Sequence, residues 1–85
     1  MSIDELMALP VVNTLQYQAA RAGKEPAEAL PTLARARLVV ELHRRGWTDV
    51  EIATWTRQTT FTTAEIRGRL GLLPNTRPSN IEGVA

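Results

Sequence analysis

What most limits the folds open to this chain is its helix punctuation: starts and stops fall so close together that no helix can be long. Ser2 followed by Glu5, and Thr48 followed by Glu51, are capping boxes, in which two side chains satisfy free backbone N–H groups at a helix start. Gly23, Gly46 and Gly71 each close a stretch with apolar residues at helical spacing. Pro10 separates the first stretch from the second, and Pro31 suits the first turn of a later one. No segment reads as a strand.

These marks predict an all-α fold of four to five short helices. The first has Ile3, Leu6 and Met7 as its apolar face; the second turns Val11, Val12, Leu15, Ala19 and Ala22 to one side. The stretch GKEPAEALP, residues 23–31, is a polar connection with room for one helical turn. LARARLVVELHRRG is apolar at Leu33, Ala34, Leu38, Val39, Val40 and Leu42, wide enough for a central helix packed on two sides. Its last turn carries His43, Arg44 and Arg45, which favour the negative end of the helix dipole. A helix starting at Asp49 should turn Val50, Ile52, Ala53 and Thr56 inward, and a last one starts from Thr59 or Thr60 as cap. Beyond Pro74 no period remains. The expected organisation is an N-terminal helical segment (1–30), a trihelical domain (31–74) and a flexible tail (75–85).

Composition removes several classes of function. At 85 residues this is one domain without cysteine, so disulfides and thiolate zinc sites are out. A single histidine, His43, with few carboxylates near it in sequence argues against a metal site. No apolar run nears the roughly 20 residues needed to span a membrane, and MSIDEL lacks the order of a signal peptide, so a cytoplasmic chain is expected. No Ser/His/Asp set, phosphate-cradling glycine loop or Glu/His metal spacing appears, so neither an enzyme nor a cofactor is expected. Charge is uneven. Residues 1–31 hold Arg21 and Lys24 against Asp4, Glu5, Glu25 and Glu28, a balance of −2. Residues 32–72 hold seven arginines against Glu41, Asp49, Glu51 and Glu65, a balance of +3. That polarity suits a second half that meets a polyanion, although nine arginines to one lysine is also what a GC-rich genome yields unselected.

The last three helices, the final two joined by about four residues, have the layout of a helix-turn-helix. Ala53 is the small residue that lets two helices approach; Ile52, Thr63, Ile66 and Leu70 close the core. RRGWTDVEIA, a short turn, a TTFT cap and IRGRLGL resemble the small helix-turn-helix proteins of actinobacteria and their phages. The EIA and RLGL ends are also similar to LuxR-type regulators and sigma-factor region 4. The resemblance covers about residues 33–74 and implies a last helix inserted in the DNA major groove. The chain departs from the pattern twice: Arg57 or Gln58 stands where the turn often has glycine, and Thr63 replaces an inner valine or isoleucine.

On this reading the last helix presents Thr60, Phe61, Thr62, Glu65 and Arg69, with Arg67 to one side. Threonines at a helix start suit phosphate or a thymine methyl, and Arg57 and Gln58 in the turn suit backbone or base edges. Arg67 and Arg69 are expected on phosphates. Glu65 either accepts from cytosine or completes a cap with Thr62. Phe61 either packs under Trp55 or the first helix, the better-favoured reading for a large apolar side chain, or touches a thymine methyl. Trp47 and Trp55 are expected as core or edge packing.

The expected function is sequence-specific binding of double-stranded DNA, as a small transcriptional regulator or phage control protein. One short helix offers few base contacts, so a homodimer through residues 3–22 is expected on paired half-sites. Alanine at Arg57, Arg67 and Arg69 should then abolish binding without loss of helix. The competing expectation is a module that binds a host or partner protein.

Overall fold

The computed structural model describes residues 2–10 and 14–76, and within these every regular element is helical. In chain order they are α1 (Ile3–Ala8), α2 (Thr14–Arg21), a 3-10 turn (Ala27–Ala29), α3 (Thr32–Arg44), α4 (Asp49–Thr56) and α5 (Thr60–Arg69). The expected all-α class is thus observed, and the five α-helices among the described residues fall within the expected four to five. Val11 and Val12, expected on the inner face of the second helix, lie outside the described residues.

Both capping boxes form. Ser2 Oγ accepts from the Glu5 amide at 3.1 Å while Glu5 Oε1 accepts from the Ser2 amide at 2.9 Å. The same exchange joins Thr48 and Glu51, fixing the start of α4 at Asp49. The Thr59 hydroxyl accepts from the Thr62 amide at 3.0 Å, so Thr59 is the cap of α5. α1 stops where Leu9, ahead of Pro10, turns extended.

Helices α2 to α5 all close with a left-handed residue: Gly23, Gly46, Arg57 and Gly71. At α4 the Gln58 amide reaches back to Ala53 O at 3.0 Å while Arg57 holds φ 57°. The tight turn therefore forms without glycine, at the steric cost of a Cβ in the left-handed region. Gly23 has a second requirement besides its φ of +79°: a Cβ there would lie 2.9 Å from the Trp55 ring.

One core joins both halves of the chain. Tyr17, Ala20, Ala27 and Leu30 pack with Leu38, Val39, Leu42 and Ile52, with Trp47 and Ile66 against them. α3 runs through the centre and touches α1, α4 and α5, and α4 with α5 is the most closely packed helix pair. Ala53 is buried in the middle of α4. Glu41 ties α2 to α3: it accepts from the Tyr17 hydroxyl at 2.8 Å and from Arg21 at 3.1 Å. Desolvation, then the hydrogen bond to Glu41, drive the Tyr17 pKa well above the ordinary tyrosine value.

Several expected inner faces are corrected. Tyr17 and Ala20, not Leu15 and Ala22, form the buried side of α2; Leu15 is 84% exposed. Tyr17 buries more apolar surface, and its hydroxyl finds Glu41. Val50 points to solvent, because it sits two residues, about 200° of helix, from buried Ile52. Leu33 is half-exposed at the start of α3. The polar-looking connection supplies two core residues, Ala27 and Leu30. At the far end Asn75, assigned from sequence to a flexible tail, donates to His43 O at 2.8 Å and Trp47 O at 3.0 Å.

Candidate nucleic-acid interface

The geometry of α5 follows from which residues it turns inward. Thr63 is completely buried, and Ile66, Arg67 and Leu70 are partly buried on adjoining positions. Positions on the opposite side must then face out, and they do: Phe61, Glu65, Gly68 and Arg69 are all exposed, and Thr60 is exposed as the first residue of the helix. Three residues, Arg57, Gln58 and Thr59, join α4 to α5. The amides at the start of α5 that Thr59 does not engage point out along the axis, at the positive end of the dipole.

Phe61 is 75% exposed, so the expectation that it packs in the core is overturned. The reason is register: Thr63 holds the inner face, and a residue two positions earlier lies on the opposite side. Glu65 does not complete a cap either. The cap is Thr59, two turns back along the chain from the pairing that Glu65 does make, with Arg69 at 3.7 Å. Both members of that pair are well exposed, so it is loose and solvent-screened. Thr62 is partly exposed, and its hydroxyl sits 3.0 Å from that of Thr59.

Three of the expected contact residues are engaged inside the chain. Arg67 Nε donates to both Asp49 oxygens, at 3.0 and 3.1 Å, and its Nη1 donates to Leu72 O at 2.8 Å. This ties the last turn of α5 to the first turn of α4. Arg57 Nη2 donates to Gly23 O at 3.3 Å, beside the bond of 2.8 Å from Trp55 Nε1 to Arg21 O. Both grip the carbonyl end of α2, where a cation and donors are favoured. Trp55 also meets Trp47 edge-to-face at 5.5 Å. The Gln58 amide lies 3.1 Å from the Thr56 hydroxyl, whose proton goes to Ile52 O at 2.7 Å. That hydroxyl also faces Gln58 Oε1, so Gln58 is on the accepting side of the contact.

Two residues of this surface escape a reading of residue types. Gly68 lies on the same outward stripe as Phe61 and Glu65, and a Cβ built on it would meet nothing within 4 Å. A glycine inside IRGRL was a visible signal, because helix interiors disfavour it. Leu33 belongs to a groove of about 390 Å³ beside α5, whose apolar floor is Leu6, Leu33, Ala36, Ile66 and Leu70. Thr62, Glu65 and Arg69 form the edge between this groove and the outward stripe. The amino-terminal segment thus borders the outward face of α5 through Leu6 but leaves it open.

Among the described residues no group of three or more His, Asp or Glu side chains is placed to hold a metal ion, and no helix is long and apolar enough to cross a membrane. Comparison with known proteins gives no match to a family model, a curated protein or a solved structure.

Proposed function

We propose that this chain binds double-stranded DNA through the outward face of α5, in the manner of a helix-turn-helix regulator. One observation carries the reading: α5 is fixed from behind by Thr63, Ile66, Leu70 and the Arg67–Asp49 pair, and none of the described residues covers its front. The helix is ten residues long, and a groove-reading helix needs that arrangement. The contacting set is narrower than residue types suggest: Thr60, Phe61, Thr62, Glu65 and Arg69, with Gly68 permitting close approach. Arg57 and Arg67 act instead to shape and brace the turn. Thr60 and the free amides of α5 suit a phosphate, and Arg69 suits a phosphate or guanine.

Few cations remain for phosphates, so affinity should fall gently with salt. Each neutralised phosphate contributes about −0.9 to the slope of log K against log salt, and two or three contacts per chain give about −2 to −3. Fluorescence anisotropy of a labelled duplex over a salt series measures this slope. Arg69→Ala should weaken binding and flatten the slope. Salt-independent binding, or no binding in low salt, overturns the proposal.

Specific recognition by so small a surface calls for a second copy on a neighbouring half-site. Among the described residues of 3–22, Leu6, Tyr17 and Ala20 lie in the chain's own core, and Leu15 on α2 is the most exposed large apolar side chain. Light scattering on Leu15→Glu against the parent chain tests the dimer. The groove supports the second reading, a protein-binding module. Leu33→Ser removes apolar surface from that groove without adding charge: it should weaken binding of a protein partner and, under the DNA reading, leave duplex affinity unchanged.

A further inference from the structure

The outward stripe of α5 contains an element that phosphate binding does not explain. Phe61 carries no charge and no hydrogen-bonding group, yet it stands 75% exposed at the leading end of the helix. An exposed apolar side chain alone is ordinary; Leu15 and Leu73 are exposed further. Phe61 differs in its neighbours: Glu65 and Gly68 follow it on one stripe at helical spacing, and Thr60 stands beside it. That stripe offers an aromatic ring, an unsaturated acceptor and a gap.

In the major groove the one apolar group on any base edge is the thymine C5-methyl. A phenyl ring presented there recognises nothing else by chemistry. We infer that Phe61 is a specificity-determining residue that reads a thymine methyl group, an inference resting on the proposed binding of DNA by α5. Glu65, whose partner among the described residues is the loose Arg69 contact at 3.7 Å, accepts from an exocyclic amino group on the neighbouring pair. Its negative charge disfavours the acceptor-only edge of guanine. Gly68 brings the backbone of the last turn near the groove floor, and Thr60 adds a second methyl at the start. Phe61 is therefore a base-reading residue, while Arg69 and the helix start hold the backbone.

Uracil differs from thymine in DNA only by that methyl, so exchange of one for the other isolates the contact. A bound sequence is first selected from a pool of random duplexes, and each thymine in it is then replaced singly by uracil. At one thymine per half-site the replacement should lower affinity about fourfold, the effect of one buried methyl. Phe61→Ser should bind thymine and uracil duplexes alike, with unchanged circular dichroism because the side chain is outside the core. Phe61→Leu should keep the difference. A selected site without thymine, equal binding at every thymine–uracil pair, or discrimination that survives in Phe61→Ser overturns the inference but leaves DNA binding standing. A chain that enriches no duplex overturns both.

Discussion

Thr63 is completely buried, and its hydroxyl has no hydrogen-bond partner among the described residues. A buried donor left unpaired costs about 1–3 kcal/mol, and valine has the same shape without the polar atom. Thr63→Val should raise stability by about 1 kcal/mol, measured by urea unfolding, and leave DNA binding unaltered. Arg67 is the opposite case, since its charge is held at 15% side-chain exposure against Asp49 at 21%. Arg67→Ala removes charge-assisted bonds and strands a carboxylate, so a loss of about 2 kcal/mol is expected by the same measurement. This corrects the expectation that alanine at Arg67 tests DNA contact with the fold intact. Arg69→Ala, at an exposed site, should change stability by less than about 0.5 kcal/mol.

At the scale of the helix, α5 carries a residue that works against its own stability. Glycine in a helix interior costs about 1 kcal/mol relative to alanine, and Gly68 has open space around it. Gly68→Ala should therefore raise the unfolding midpoint, yet weaken duplex binding by standing the helix off the groove. Both effects are read on one preparation by thermal unfolding and anisotropy. Helix starts were the most legible part of the sequence, because Ser2, Thr48 and Thr59 mark them by local hydrogen bonding that needs no tertiary partner. Faces were less legible. Val50 beside Ile52 and Phe61 beside Thr63 are the same problem, two residues too close in sequence to share a side. With Thr63 turned inward, Phe61 had to point out, and its hydrophobicity alone argued the wrong way. The roles of Arg57 and Arg67 were not legible, since their partners, Gly23 and Asp49, lie 34 and 18 residues away.

Across the molecule, the two halves distinguished by charge are joined by a partly buried polar link. Tyr17 on α2 donates to Glu41 on α3, and Arg21 pairs with the same carboxylate. The Tyr17 pKa is raised above the ordinary 10.0, so the folded chain keeps its proton when the unfolded chain loses it. Stability from this group is whole below the ordinary tyrosine range and declines as pH climbs above it. Alkaline unfolding followed by tyrosinate absorbance should show this decline, and Tyr17→Phe should unfold with less dependence on pH in that range. The same link sets where α2 lies, and α2 in turn receives Trp55 and Arg57 from the turn before α5. The placement of α5 thus depends on α2 as well as on residues 31–74.

The central claim is that duplex DNA meets the open face of α5. Amide chemical-shift mapping during titration with a short selected duplex tests it residue by residue. The largest changes should fall on Thr60, Phe61, Glu65, Gly68 and Arg69, with Leu6, Leu33 and Leu15 little moved. Changes centred on Leu6, Leu33 and Ala36 with the α5 stripe silent, or no changes at all, would contradict it.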